Sequence, residues 1–154
     1  MNWEAIVIHH SLTKDGKTVS AQAIRRYHMD TLGWTDTGYQ FLVEDINGQW
    51  EGLIGRGLDK AGSHTKQQGM NRKAIGVCLV GNFDVQQPDE GMLLFTAKKI
   101  VVPMMKAFHI PLHAIYPHRK FATYKSCPGT AFPWVTFIQM VREAGGFPLE
   151  PSTA

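Results

Sequence analysis

Two short, uninterrupted apolar runs constrain the fold more than any other feature of this 154-residue sequence. Residues 6–8, within a predicted strand at 5–10, and residues 74–80 are too short for buried helices. Apolar side chains on both sides of a strand require cover on both faces of the sheet. The two runs therefore predict strands inside a layered domain, and a shorter strand is predicted around 114–116.

Three further segments show the apolar periodicity of helices. Residues 21–32 follow the capping residue Ser20, residues 88–108 carry one continuous apolar stripe, and residues 133–144 precede a pair of glycines. Pro103 should kink the second helix, because proline lacks a backbone donor and crowds the preceding turn.

A hairpin and a long loop lie between the two apolar runs. Residues 39–45 and 49–54 are separated by Asn47-Gly48, which favours a tight turn because both residues tolerate positive φ. Residues 55–72 show no periodicity and are predicted to form a functional loop. Together these elements indicate an α/β (α+β) fold, a single domain with a central mixed β-sheet flanked by helices.

Composition excludes several classes of protein. Sixteen Lys and Arg against thirteen Asp and Glu give a net charge of +3, which is too weak to argue for nucleic acid. No run approaches the length of a membrane span, and two cysteines do not make a disulfide framework. We therefore expect a monomer that binds neither nucleic acid nor membranes. The first residues lack the pattern of an export signal, so we expect synthesis in the cytoplasm.

Two histidines and a cysteine occupy positions where a metal site could form. His9 ends the first predicted strand beside His10, His118 follows the last strand, and Cys127 precedes Pro128-Gly129. Such a set can bind zinc and leave the fourth position open. The spacing is also compatible with scattered histidines and a core cysteine, and the pattern alone does not separate these interpretations.

Six strings of residues carry a resemblance to a known family. They are residues 6–11, 37–43, 61–65, 74–83, 117–119 and 125–129. In this order they resemble type 2 N-acetylmuramoyl-L-alanine amidases, a family that includes phage amidases and animal peptidoglycan recognition proteins. The resemblance covers roughly residues 3–145, and it implies an amidase domain over 1–147 with a short tail at 148–154.

The resemblance implies a role for five residues. His9, His118 and Cys127 match the zinc ligands of the family. Tyr39 matches a tyrosine that faces the reacting water or the developing oxyanion, and Lys125 matches the lysine of the phage branch. Either Tyr39 or Lys125 could transfer the proton, and the sequence does not distinguish them.

Other residues receive weaker assignments. His64 matches a position near the substrate groove, where it either contacts substrate or orders the loop. His10 is expected to support or pack beside the site, and Cys78 to lie in the core. Lys120 stands where many bacterial relatives have an acidic residue, which argues against a supporting carboxylate there. Surface or packing roles are expected for His28, His109, His113, Trp34, Trp50 and Trp134.

The resemblance implies zinc-dependent hydrolysis of the bond between N-acetylmuramic acid and L-alanine in peptidoglycan. Without an appended wall-binding module, the chain is expected to act as a phage-type endolysin that reaches the wall through a holin. The alternatives are a recycling amidase for cytoplasmic muropeptides and a recognition module that binds without cutting. Some phage relatives also bind their phage's RNA polymerase, which the resemblance adds as a further candidate partner.

Overall fold

A computed structural model describes residues 1–12, 29 and 37–147 of the chain. The predictions that lie outside these residues are the helix at 21–32 with Ser20, the tail at 148–154, His28 and Trp34.

Five strands form one sheet in the order β3-β2-β4-β1-β5 within the described residues. They are β1 (Ala5–His10), β2 (Phe41–Ile46), β3 (Gln49–Ile54), β4 (Ala74–Leu79) and β5 (Ile115–Pro117). β1 is parallel to β4 and β5, β2 is parallel to β4, and β2 pairs antiparallel with β3. Every residue of β1 and β4 is buried, so the two apolar runs are inner strands and the predicted mixed sheet is confirmed.

Parallel pairing brings the ends of separate strands to one edge of the sheet. Ile8 of β1 pairs with Pro117 of β5, so the next residues, His9 and His118, follow side by side. His9 pairs in turn with Cys78 of β4. Strand direction and register therefore place two chemistry-bearing histidines at the same edge.

Four helices pack around this sheet in the described part of the chain. They are α1 (Met70–Lys73), α2 (Glu90–Thr96), α3 (Val102–Phe108) and α4 (Trp134–Gly145). α2 and α3 are joined by a π-helical turn, Ala97–Val101, so the disturbance predicted at Pro103 takes this form. Phe137 and Val141 bury α4 in the core, and the helix ends at Gly146 with φ 66°.

Several predicted boundaries shift by one or two residues, and two of the differences concern the site. β2 begins at Phe41 and not at residue 39; just before it, the Gln40 side chain accepts the Gly76 N–H at 2.8 Å while the Gln40 backbone N–H donates to the Gly76 carbonyl at 3.0 Å. The predicted loop at 55–72 ends in a 3₁₀ turn, Gln67–Gly69, followed by α1. Both changes occur beside the site described below.

Among the described residues, none of the helices has the length and apolar character needed to cross a membrane.

Candidate metal centre

His9, His118 and Cys127 converge from three separate elements. His9 comes from the end of β1, His118 from the 3₁₀ turn after β5, and Cys127 from the loop before α4. One ligand atom from each lies within 4.8 Å of the other two. The two imidazole ring centres are 4.4 Å apart, and His9 Nδ1 lies 3.7 Å from Cys127 Sγ. The structure thus brings the three predicted ligands together.

The chemistry of these three residues fits a metal ion. All three side chains are buried, at 2%, 6% and 8% exposure. His118 Nδ1 has no hydrogen-bond partner among the described residues, although burying such a nitrogen alone is unfavourable. Two imidazole nitrogens and a thiolate are a donor set that zinc prefers, with room for a fourth ligand. A zinc ion would satisfy the unpaired nitrogen.

Burial keeps both histidines neutral, as metal ligation requires. The pKa of His118 is lowered to about 4, first by burial and then by the charges of Lys125 and His10. The pKa of His9 is also held well below its ordinary value, first by burial and then by His64, His118 and Lys125. Each ring therefore carries a lone pair at neutral pH.

Burial shifts the pKa of Cys127 in the opposite direction, because it favours the protonated thiol. Burial raises the pKa of its thiol to about 12, although the His10 N–H, at 3.4 Å from the sulfur, and Lys125 lower it in part. The thiol therefore keeps its proton until a cation stabilises the thiolate.

Two hydrogen bonds from the loop that carries Cys127 to Asp84 hold this loop in place, and we call them the Asp84 latch. Asp84 accepts the Ser126 hydroxyl at 3.0 Å and the Thr130 N–H at 2.9 Å. These two bonds, the Thr130 contact first, lower the pKa of Asp84. Gly129 adopts φ +122° against the Phe83 backbone, where a Cβ would clash. Sequence reasoning missed Asp84, since one aspartate after a strand gives no signal of this contact.

Tyr39 lies in the wall of the site, next to His9. Their ring centres are 5.1 Å apart. Burial raises the pKa of the Tyr39 hydroxyl well above its ordinary value, and Cys78 and Cys127 add to the effect. A side-chain hydrogen bond to Cys78 is a further, smaller cause of the same rise in pKa. Tyr39 therefore remains a protonated donor beside the candidate metal centre.

Lys125 contributes positive charge at the mouth of the site. It is exposed, and its Nζ lies 5.8 Å from the ring centre of Tyr124. Its charge lowers the pKa values of His9, His118 and Cys127. Lys125 also lines the same pocket as these three residues.

A surface pocket of about 490 Å³ is lined by the three candidate ligands together with Tyr39 and Lys125. An adjoining pocket of about 390 Å³ shares five of its lining residues: Ser63, His64, His118, Tyr124 and Lys125. The two pockets together form a groove with the metal centre in one part. Neither Trp50 nor Trp134, both half-buried, is among the described residues that line it.

His64 lines the pocket wall, but its ring bonds are made within the protein. The side chain is 8% exposed. Nδ1 lies 3.0 Å from His9 Nε2, and Nε2 lies 3.0 Å from the Ala74 carbonyl oxygen. The substrate contact expected from the sequence stays a prediction. Gly76 of β4 lies against the ring. A glycine inside a strand often marks a close approach of another group, so Gly76 was the sequence signal that could have indicated this contact.

The remaining predicted residues lie where packing or surface roles were expected. His10 accepts the Phe83 N–H through Nδ1 at 3.0 Å. Cys78 is fully buried, and both cysteines are free, as the sequence predicted. His109 and His113 are exposed and do not join the described cluster.

Comparison with known proteins identifies the same family along most of the chain. The family model described as N-acetylmuramoyl-L-alanine amidase (Amidase_2) matches residues 1–130. Peptidoglycan-recognition protein SC2 of Drosophila melanogaster is 30% identical over 129 residues, which are 80% of this chain and 67% of the fly protein. The endolysin of Enterobacteria phage T3 is 41% identical over 83 residues, 53% of this chain and 50% of the endolysin.

A solved structure agrees with the fold described above. The N-acetylmuramoyl-L-alanine amidase LysC from Clostridium intestinale superposes with a TM-score of 0.74 over 92% of this chain and 86% of its own. At 23% identity, this likeness concerns the fold.

Proposed function

Because the chain belongs to the N-acetylmuramoyl-L-alanine amidase family, we propose that it hydrolyses the amide between N-acetylmuramic acid and L-alanine in peptidoglycan, with zinc as its cofactor. The observation that carries the proposal is the buried convergence of His9, His118 and Cys127, whose ligand atoms lie within 4.8 Å of one another. The family and the named relatives support peptidoglycan as the substrate.

The three ligands would hold zinc through two neutral imidazoles and one thiolate. When bound, zinc supplies Lewis acidity, which polarises a carbonyl and lowers the pKa of a coordinated water to about 7. Cys127 would release its proton on binding, since its buried thiol is protonated in the metal-free site. His9 and His118 need not lose a proton, because burial already keeps them neutral.

Tyr39 and Lys125 are the groups available to stabilise the tetrahedral oxyanion of amide hydrolysis. The Tyr39 hydroxyl stays protonated and the Lys125 ammonium stands at the mouth of the same pocket, so both can donate to an oxyanion. One such donor typically contributes about 3 kcal/mol to the transition state. One of the two also gives a proton to the leaving amine and takes up the proton that the attacking water loses, so it returns to its starting state.

Product analysis of purified peptidoglycan tests the reaction. We expect about one zinc per chain, and release of new amino groups without new reducing sugars, since an amidase cuts no glycosidic bond. A chelator should abolish the release and added zinc should restore it. Binding to the wall without release by zinc-loaded protein would instead indicate a recognition module, an alternative that the intact Cys127 ligand disfavours.

We further propose that the enzyme acts in host cell lysis from the cytoplasm, a role supported by its likeness to a phage endolysin. Expression in bacteria should leave cells intact until the inner membrane is permeabilised, after which cultures should clear. Comparing intact sacculi with soluble muropeptides distinguishes the recycling alternative. Preference for soluble muropeptides, with no clearing after permeabilisation, would contradict the lytic role.

A further inference from the structure

A second histidine lies behind the metal centre, and its hydrogen bonds determine where the protons of the site reside. His64 Nε2 lies 3.0 Å from the Ala74 carbonyl oxygen. A carbonyl oxygen only accepts hydrogen bonds, so His64 carries its proton on Nε2. The His64 side chain is buried, at 8% exposure, and burial disfavours a charged imidazole, so the neutral ring with its proton on Nε2 has its lone pair on Nδ1.

This lone pair decides the tautomer of His9. His64 Nδ1 faces His9 Nε2 across 3.0 Å, and two lone pairs cannot face each other at that distance. His9 must therefore donate through Nε2–H, which leaves its Nδ1 unprotonated. That atom is the one that faces Cys127 Sγ at 3.7 Å.

The neighbouring Thr65 is consistent with the same arrangement of protons. Its hydroxyl lies 3.0 Å from His64 Nδ1 and 3.4 Å from His9 Nε2. The hydroxyl oxygen can act as a second, longer acceptor for the His9 Nε2–H, so Thr65 requires no other tautomer.

We propose that His64 is a positioning residue: it accepts a hydrogen bond from His9 Nε2–H and holds His9 in the one tautomer whose Nδ1 lone pair faces the metal centre. The inference rests on the proposed zinc site. It assigns His64 a role inside the protein, and the substrate contact that the sequence analysis gave as one of two alternatives stays a separate prediction. Removing the partner of a metal-bound histidine typically weakens metal binding about 10- to 100-fold.

The surroundings of His64 fix both its ring and its backbone. A Cβ on Gly76 would lie 2.4 Å from His64 Cδ2, and one on Gly62 would lie 2.5 Å from the same atom. Two glycine backbones thus approach the ring more closely than any other residue would allow. Asn71 Oδ1 accepts the N–H groups of His64 and Thr65, both at 2.8 Å.

Zinc affinity in two substitutions of His64 tests the proposal. His64→Leu removes the acceptor, and we expect zinc binding, measured by competition with a chromophoric chelator, to weaken about 10- to 100-fold. His64→Asn keeps an acceptor near the position of Nδ1, and it should recover part of this loss. The matched control is His109→Asn, a substitution at an exposed histidine, which should bind zinc like the original chain.

The ring nitrogens of His9 in the original, metal-free protein provide an independent test. Long-range ¹H–¹⁵N NMR spectra at neutral pH should show Nε2 protonated and Nδ1 unprotonated. Protonated Nδ1 would overturn the proposal, as would unchanged zinc affinity in folded His64→Leu. The NMR result stands even if His64→Leu does not fold. Neither measurement uses hydrolysis, so a protein with this tautomer and normal zinc binding but no amidase activity would contradict only the proposed function.

Discussion

At the scale of single residues, the candidate metal centre depends on groups that are unfavourable without a cation. His118 Nδ1 is buried without a partner among the described residues, and burial raises the pKa of Cys127 to about 12. Both features favour a bound metal, since a cation supplies the missing partner and stabilises the thiolate. Replacement of Cys127 should therefore damage the site most.

We expect Cys127→Ser to lose zinc and hydrolysis together, because a serine hydroxyl keeps its proton and binds zinc poorly. Zinc affinity should fall by more than the roughly 100-fold upper range for an outer partner. His109→Asn is the control, since His109 is an exposed residue with φ 56°, which asparagine tolerates. Full zinc content in folded Cys127→Ser would contradict the ligand assignment.

Tyr39→Phe and Lys125→Met should each lower kcat by two to three orders of magnitude, about 3 kcal/mol, because each removes one oxyanion donor. Zinc content should remain near one per chain, since neither residue is a ligand. Lys120→Met serves as the control, because Lys120 is exposed and is not among the described residues that line the pocket. A change confined to KM would assign these side chains to substrate binding.

At the scale of elements, the sequence predicted the strands better than the contacts between loops. The apolar runs placed β1 without error and β4 to within one residue, because a strand covered on both faces has a distinctive composition. Spacing alone left His9, His118 and Cys127 unresolved, and only the family resemblance grouped them. Asp84 could not be predicted, because its partners lie more than forty residues away in the chain.

The latch between Asp84 and the loop before α4 leads to a prediction for Asp84→Ala. The substitution removes the acceptor of Ser126 and Thr130, and it should lower the free energy of unfolding by about 1 to 3 kcal/mol. Zinc affinity should fall as well, because Cys127 lies between these two residues. Asp45→Ala, at an exposed position of β2, is the control for a lost carboxylate. Zinc affinity equal in both variants would exclude the latch as a support of the site.

The strand glycines Gly76 and Gly52 differ in what an added methyl group would contact. In Gly76→Ala the new methyl group meets the confined His64 ring at 2.4 Å, so we expect a loss of about 1 to 3 kcal/mol in unfolding free energy and weaker zinc binding. In Gly52→Ala the nearest atom is the terminal methyl of Ile100 at 3.2 Å, which can shift. Equal zinc affinity in the two variants would show that His64 does not need this position.

At the scale of the whole molecule, the site is built on a fold that does not need the metal for its core. One apolar cluster spans the inner strands and the helices, including Ile6, Ile75, Val101 and Phe137. A chain of this length buries roughly two-thirds of its unfolded surface, which is enough to fold without a metal staple. The metal-free protein should therefore be folded, and its stability can be measured separately from zinc binding.

That separation allows a prediction of pH dependence for the metal-free protein. The pKa values of His64 and His118 are about 4 in the folded chain, against 6.5 for an ordinary histidine. Between these values the unfolded chain binds more protons, so stability is complete above about pH 6.5 and declines as the pH falls towards 4. Denaturant unfolding of chelated protein should show this decline, and His118→Asn should reduce its slope, whereas His109→Asn should not. Stability that is constant across this range would mean that the buried histidines are not held neutral by the fold.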